Sequence, residues 1–217
     1  MNKNPLETFQ RDIQKYCERL STDRSETLTE LERTTYLKTL SPNMVSGHLQ
    51  GNLLKMLTQI HQPKHVLEIG TFTGYAAIAI AQGLPKGSKL HTIEVNEELV
   101  YIIKEYFAKA KLEDKINFYQ GNAAEIIPTL DMNFDMVFID AGKRDNAKYY
   151  DLVFDRVNPG GLLITDNVLW GGKVIQNKYD KDTTLIHEFN QKVKNDPRVE
   201  NVLLPIRDGL MVARKVT

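Results

Sequence analysis

The chain has 217 residues, and its 28 Lys and Arg residues balance its 28 Asp and Glu residues. The length suits one full-sized domain, and a content of 41% hydrophobic and 26% charged residues argues against a disordered chain. Zero net charge argues against a protein that binds mainly to nucleic-acid phosphates, although it does not exclude a local basic patch. Without an apolar run or signal stretch, and with the single Cys17, the sequence predicts a soluble cytoplasmic protein with no membrane contact.

Residues 1–60 have a purely helical pattern. The first predicted helix has an amphipathic face whose members lie three or four positions apart, namely Leu6, Phe9, Ile13, Tyr16, Cys17 and Leu20. Thr27 and Glu30 have capping-box spacing for a second helix. A third helix runs from Val45 to Ile60 and ends before Pro63.

From residue 64 onward, short apolar runs alternate with helical stretches. The pattern predicts strands at 65–69, 89–94, 115–120, 135–139 and 161–165, with helices at 74–84, 96–111, 122–130 and 145–157. A Gly-rich loop leads to a helix at 182–195 with Asp182 as N-cap, and then to strands at 199–205 and 210–215 around the reversal Asp208-Gly209. Strand–helix alternation predicts an α/β fold with a parallel sheet covered on both faces, which here ends in an antiparallel hairpin.

Ligands of such sheets bind beyond the carboxyl ends of the strands, and the first strand ends in a glycine loop. The loop has the pattern E-x-G-x-x-x-G, with Glu68, Gly70 and Gly74. A carboxylate at Glu68 would repel a pyrophosphate but suits an amine and a sulfonium, which favours S-adenosylmethionine over NAD. Glu94 ends the second strand, where an acid accepts hydrogen bonds from ribose hydroxyls. The two glycines alone would indicate only a tight turn; the added acids favour a cofactor site.

The fourth and fifth strands end in a second group of polar residues. Asp140 follows the fourth strand, and Asp166 and Asn167 follow the fifth. Adjacent strands lie about 5 Å apart, so two carboxylates and an amide oxygen should converge, as Mg²⁺ requires. Helix capping by Asp166 and Asn167 is the alternative. Lys143 is either a solvated surface lysine or a base, since a neighbouring metal and sulfonium would lower its pKa.

Several longer segments carry a family resemblance. They are VLEIGTFTGYAAIAIA, HTIEVN, FIDAGK, NPGGLLITDNVLWGG and DGLMVARK. The chain resembles the cation-dependent class I O-methyltransferases of the catechol and caffeoyl-CoA O-methyltransferase type, strongly from about residue 35 onward. The resemblance implies a single domain over residues 1–217, with a three-layer Rossmann-like sheet of seven strands, the last antiparallel, in residues 64–217 and a helical cover in residues 1–60.

The resemblance also implies roles for individual residues. The implied metal ligands are Asp140, Asp166 and Asn167, holding Mg²⁺ or another divalent cation such as Mn²⁺ or Ca²⁺, with Lys143 as base beside Asp140. The implied contacts of S-adenosylmethionine are Met44, Ser46, Glu68, Gly70, Thr71, Phe72, Gly74, Tyr75, Ala76, Glu94, Val95, Asn122, Ala123, Asp140 and Tyr149. The implied substrate contacts are Lys143, Asn167 and Trp170. Met44, Tyr149 and Trp170 could equally be packing residues, and Ser46 a helix cap.

Three positions depart from the family pattern. Gly142 stands where members often have Asp, and Ala76 stands where they often have Ser, so two polar contacts to the cofactor are missing. Gly171 replaces a polar residue that plant members use on their substrate, which puts a plant-like acyl-CoA substrate in doubt. None of the three falls on a metal or base position.

The main hypothesis is therefore a homodimeric O-methyltransferase acting on a small phenolic acceptor with vicinal hydroxyls. A tRNA hydroxyuridine is the alternative acceptor, because Lys143, Arg144, Lys148, Lys173 and Lys178 could form a basic rim. A Rossmann-type NAD oxidoreductase is opposed by the glycine spacing. A non-catalytic binding protein is opposed by the intact set of metal and base residues.

Overall fold

The computed structural model describes residues 5–216, with their side chains except those of residues 5–8, 10 and 143. The helices are α1 Pro5–Arg19, α2 Glu26–Lys38, α3 Gly47–His61, α4 Tyr75–Gly83, α5 Val100–Lys109, α6 Ala123–Ile126, α7 Asn146–Phe154 and α8 Lys181–Lys194. The strands are β1 His65–Ile69, β2 Lys89–Glu94, β3 Ile116–Gln120, β4 Phe134–Ile139, β5 Val157–Asp166, β6 Val199–Leu204 and β7 Leu210–Lys215. Single 3-10 turns occupy Pro42–Met44, Glu97–Leu99, Ile127–Thr129 and Lys143–Asp145, and a longer 3-10 segment, kinked at Gly171 and Gly172, occupies Trp170–Ile175.

The described strands form one seven-stranded sheet in the order β3-β2-β1-β4-β5-β7-β6. The strands from β1 to β5 pair in parallel, whereas β7 runs antiparallel to both β5 and β6. The order reverses at β1, so the carboxyl ends of β1 and β4 flank the switch point of the sheet. The predicted fold class, including the antiparallel hairpin, is confirmed.

Each face of the sheet carries its own apolar layer because successive side chains of a strand point to opposite faces. Val66 and Leu90 belong to a cluster that includes side chains of α2, α3, α4 and α5. Leu67 and Ile69 belong to a second cluster with side chains of α6, α7 and α8. The result is three layers, with the strand ends left open to loops at one edge. No described helix has the length and apolar content needed to cross a membrane.

Two predicted helix starts are wrong. The cap of α2 is Ser25, whose side chain accepts a hydrogen bond from the Leu28 backbone N–H, rather than Thr27. The cap of α8 is Asp180, which accepts from the Thr183 N–H at 2.8 Å, rather than Asp182. Both predicted caps, Thr27 and Asp182, lie in the first turn of the helix, two residues after the residue that caps it.

Two further expectations need adjustment. The apolar face of α1 is not buried in this chain: Phe9, Ile13, Tyr16 and Leu20 are exposed by 48–70%, Cys17 is half-buried, and Leu6 lies outside the described side chains. Strand β5 begins at Val157, four residues before the predicted start at 161. The segment Asn158-Pro159-Gly160 has turn composition, but Val157 already pairs with Phe134.

Candidate functional site

The turn after β1 brings the backbone of the chain unusually close to the end of β4. Gly70 has a φ of +97°, and a Cβ there would lie 2.2 Å from the carbonyl oxygen of Asp140. The Gly70 N–H donates to the Ile93 carbonyl at 3.0 Å, and the Asp140 N–H donates to the Ile69 carbonyl at 2.9 Å. A residue with a side chain cannot occupy position 70 without displacing β4. Glycine at position 70 therefore lets the turn after β1 pack closely against the backbone of Asp140.

Glu68 is a fully buried carboxyl group inside β1. Its Oε2 accepts a hydrogen bond from the Thr92 hydroxyl, but its Oε1 has no hydrogen-bond partner among the described residues. Burial, reinforced by the nearby Glu94, raises the pKa of Glu68 to about 8 against the opposing effect of Thr92. Such a group lacks a cation or a further donor. The ammonium of an amino-acid ligand would supply both, so Glu68 fits S-adenosylmethionine.

Glu94 ends β2 with both carboxylate oxygens held by the backbone. Oε2 accepts from the Phe72 N–H at 2.7 Å, and Oε1 accepts from the Asn96 N–H at 2.9 Å. Thr71 lies beside Phe72 in the turn after β1, and its hydroxyl oxygen is 2.5 Å from that of Thr92. Each oxygen of a carboxylate can accept a second hydrogen bond, so the group is fixed in place and still has capacity for two ribose hydroxyls.

The other residues predicted to contact the cofactor differ in exposure. Tyr75 and Ala76 are buried at the start of α4, which Gly74 precedes with a φ of +97°. Val95, beyond Glu94, is 69% exposed. Ala123 is buried, and exposed Asn122 caps α6 by accepting from the Ala124 N–H at 3.0 Å. Asn122 therefore caps α6 independently of any contact with an adenine.

The structure brings Asp140 and Asp166 to neighbouring strand ends. Ile139 of β4 pairs with Thr165 of β5, so the two acids occupy the next positions along the same ladder. Asp166 is almost fully buried, and burial is the main reason why its pKa is raised. Two donors oppose this effect: Gln50 Nε2 at 2.9 Å and the Asn167 N–H at 2.6 Å.

Asn167 has a left-handed backbone with a φ of +60°, which is uncommon outside glycine. Its Nδ2 donates to Asp208 at 3.4 Å, and Asp208 also accepts from the Gly171 N–H. An amide whose nitrogen is held in this way keeps its oxygen as an acceptor. The conformation and the contact together set Asn167 apart from a simple helix cap.

These three residues supply hard oxygen donors of the kind that Mg²⁺, Mn²⁺ and Ca²⁺ prefer. The described residues contain no group of three or more His, Cys, Asp and Glu side chains that could hold a metal. A cation at this edge would consequently depend on the two carboxylates, the Asn167 amide oxygen and water or substrate oxygens. The desolvated Asp166 fits that use, because a cation would offset the cost of its buried charge.

Lys143, Tyr149 and Trp170 are the remaining predicted residues. Lys143 begins a 3-10 turn, but its side chain lies outside the described part of the chain. Half-buried Tyr149 and Trp170 each have a lysine near the ring, with Lys148 Nζ 5.8 Å and Lys173 Nζ 5.3 Å from the respective ring centres. Burial raises the pKa of Tyr149, and Asp145 adds to it.

The helical cover reaches the site through the segment before α3. Ser46 is buried without capping the helix by its side chain, whereas Met44 is 59% exposed. Gln50, Arg207 and Asp208 contact this segment or the strand-end residues, and none of them is among the site residues predicted from the sequence. The sequence signal near Arg207 and Asp208 is the reversal predicted at Asp208-Gly209.

The proposed basic rim is partly neutralised. Arg144 Nε lies 2.8 Å from Asp182, and Lys173 Nζ lies 3.3 Å from Asp180. Both acids belong to the start of α8. Two of the five cations therefore face carboxylates of the same chain, which reduces the positive field available to an RNA backbone.

The sheet order and the glycine turn at the switch point place this chain among the Rossmann-like methyltransferases. A family model described as "O-methyltransferase" matches residues 18–216, and the chain belongs to that family. Caffeoyl-CoA O-methyltransferase 1 of Eucalyptus globulus is 33% identical over 188 residues, which are 80% of this chain and 76% of that protein. These findings confirm the family resemblance.

Solved structures agree over nearly the whole chain. The O-methyltransferase from Bacillus cereus in complex with SAH is 29% identical with a TM-score of 0.86, covering 94% of this chain and 97% of that one. The SAH-bound methyltransferase PaMTH1 of Podospora anserina is 26% identical with a TM-score of 0.88, covering 100% and 99% respectively.

Proposed function

We propose that this chain is an S-adenosylmethionine-dependent and divalent-cation-dependent O-methyltransferase whose acceptor is a small phenol with vicinal hydroxyls. The observation that carries the proposal is the contact between the two halves of the site. The Gly70 turn, which follows Glu68, packs directly on the backbone of Asp140, and Asp140 lies opposite Asp166, one position beyond the pair Ile139–Thr165. A methyl donor held by the first half would thus lie beside an acceptor held by the second.

The cofactor assignment is supported by Glu68 and Glu94 and by the SAH-bound structures to which this chain is similar. When bound, S-adenosylmethionine supplies an electrophilic methyl group and the cation lowers the pKa of an acceptor hydroxyl. Glu68 would hold the ammonium and Glu94 the ribose. Asp140, Asp166 and Asn167 would hold the cation that orients the acceptor, and Lys143 would take the proton from the acceptor hydroxyl. Positioning and charge stabilisation would provide most of the rate enhancement.

Methyl transfer to a panel of catechols, measured with Mg²⁺ and with EDTA, tests this proposal. Activity should require the cation, and Asp166→Asn should reduce kcat/KM by at least about 100-fold, as expected for an interaction with developing charge. Asp182→Asn, which changes an acid of the same type outside the strand ends, should leave activity near that of the unchanged protein. Full activity in EDTA would contradict the cation role.

A tRNA acceptor is the second candidate, favoured by the cations around residues 143–178 and weakened by their ion pairs with α8. A gel-shift titration with tRNA over a range of salt concentrations separates the two acceptors. Retention that falls steeply with salt would favour tRNA, because each neutralised phosphate adds to the slope. Methylation of catechols without tRNA retention would favour the phenol.

We also propose that the chain is a single domain and forms a homodimer. Exposed apolar side chains support the dimer, among them Phe9, Leu20, Tyr36, Leu37 and Leu40 on or near α1 and α2. Exposed apolar area of this kind is characteristic of interaction surfaces. Light scattering of the purified protein should give twice the monomer mass of 24.8 kDa. A monomer at micromolar concentration would contradict the dimer.

A further inference from the structure

Arg207 lies in the turn between β6 and β7 and reaches across to the helical cover. Its Nη1 donates to the Ser46 carbonyl at 2.7 Å, and its Nη2 donates to the Asn43 carbonyl at 3.1 Å. Nη1 also lies 3.4 Å from Gln50 Oε1. The planar guanidinium thus contacts three points of the segment that precedes and begins α3.

Gln50 connects this arginine to the strand ends. The residue is fully buried, and its Nε2 donates to Asp166 Oδ2 at 2.9 Å while its Oε1 faces Arg207. Because Arg207 can only donate, it fixes which end of the Gln50 amide points toward Asp166. The three side chains form one directed chain of hydrogen bonds.

The backbone of Arg207 is itself informative. Its φ is +51°, in the left-handed region where a side chain is disfavoured and glycine is not. At this backbone position the guanidinium makes the contacts to Ser46, Asn43 and Gln50, through a planar fork of donors. The strained backbone and the buried amide are two separate observations that point to the same relay.

We propose that Gln50 and Arg207 are positioning residues that hold the Asp166 carboxylate in the geometry required for the cation. This inference depends on the cation site of the proposed function. It adds that the helical cover, rather than the sheet alone, orients one ligand. Substitution of a residue that orients a metal ligand typically lowers metal affinity by about 10- to 100-fold.

Titration of the cofactor-free protein with Mn²⁺, followed by electron paramagnetic resonance, measures this effect without turnover. Gln50→Met keeps the size and charge of the side chain but removes the donor, and should weaken Mn²⁺ binding roughly 10- to 100-fold. Arg207→Lys keeps the charge but loses the fork, and should weaken it roughly three- to tenfold. Gln59→Met, the same substitution at an exposed position of α3, is the matched control.

The double variant and SAH affinity separate positioning from general damage. If the two residues form one relay, Gln50→Met combined with Arg207→Lys should bind Mn²⁺ no more weakly than Gln50→Met alone. SAH affinity of Gln50→Met should stay within about twofold of the unchanged protein. Additive losses, or a parallel loss of SAH and Mn²⁺ affinity, would overturn the relay.

The two proposals fail in different ways. If the unchanged protein binds Mn²⁺ and Gln50→Met binds it equally well, the positioning role is wrong and the cation site stands. If the unchanged protein does not bind Mn²⁺ in this titration, the cation site and the positioning role are both wrong, while the cofactor half of the proposed function is unaffected.

Discussion

The two halves of the candidate site are built in different ways. In the cofactor half, Glu68, Gly70 and Glu94 are held by neighbours on β1, β2 and their own turns, such as Thr92 and the Phe72 N–H. In the cation half, Asp166 and Asn167 are held by Gln50 and Asp208, which are 116 and 41 residues away in sequence.

The two halves of the site therefore depend on different parts of the rest of the molecule. The cofactor acids Glu68 and Glu94 are held within the first β–α–β unit, and the turn between them is joined to the helical cover by a hydrogen bond from the Thr35 hydroxyl to the Thr73 hydroxyl at 2.9 Å. The cation half requires the helical cover and the β6–β7 turn to be in place together. Damage to the cover should therefore affect the cation before the cofactor.

The largest expected effect is in the cofactor half. Gly70→Ala should destabilise the protein by about 3 kcal/mol or more, because it combines a left-handed backbone with a clash against Asp140. Gly87→Ala is the control: its φ of +83° is similar, but no described atom lies within 4 Å of the added Cβ. It should cost only about 1–2 kcal/mol. Urea unfolding of both variants measures the difference, and equal losses would show that the clash is relieved.

Glu68→Gln should weaken cofactor binding but stabilise the unliganded protein against unfolding. A hydrogen bond to a charged group contributes about 1.5–3 kcal/mol, so affinity for S-adenosylmethionine should fall roughly 10- to 100-fold. Isothermal titration measures this loss. Thr92→Val, which removes only the hydroxyl beside Glu68, should have a smaller effect on affinity.

The same residue predicts a pH dependence of stability. The pKa of Glu68 is about 8 in the folded chain and 4.5 for the unperturbed group. Between these values the unfolded chain has lost a proton that the folded chain retains, so the free energy of unfolding falls as pH rises through this window. Glu68→Gln should lack this decline and be the more stable protein at pH 8. Parallel stability curves from pH 5 to 8 would contradict the burial of an uncompensated carboxyl.

In the cation half, Asp208→Asn should reduce Mn²⁺ affinity by about tenfold, since Asn167 loses the carboxylate that holds its amide nitrogen. Asp151→Asn alters an exposed acid paired with Lys192 and serves as the control. Electron paramagnetic resonance titration applies to both. If only SAH affinity changed, the comparison between the two halves would be wrong.

The smallest expected effect concerns the start of α8, beside the cation half. Asp180→Ala removes the cap of the helix and should lower Tm by about 2–4 °C in a chain of this size. Asp182→Ala, the residue first expected to be the cap, should lower Tm by less than half as much. Scanning calorimetry distinguishes them, and the reverse order would restore the sequence-based assignment.

The sequence was most informative where structure is local. Strand β1 and strand β2 have the bounds expected from their apolar runs, and Glu68, Gly70 and Glu94 follow from one motif and one strand end. Gln50 and Arg207 left no such signal. A glutamine in a helix and an arginine in a turn are ordinary surface residues until the fold brings them together.

The errors at the helix starts have a related physical cause. Ser25, Thr27 and Thr29 are all acceptable capping residues, and so are Asp180 and Asp182. Which one caps is decided by where the preceding loop enters, and the loop is set by tertiary packing. The exposed face of α1 likewise has the pattern of a buried face, which periodicity alone cannot distinguish.

The position of β7 between β5 and β6 has a consequence for folding. β7 follows both of these strands in the sequence, so the edge of β5 that it covers stays unpaired until β7 joins the sheet. Unpaired edges invite pairing with other chains. A chain in which β7 has not yet paired would therefore expose an aggregation-prone edge on β5, and the pairing of β7 also brings the adjoining Arg207 turn into place.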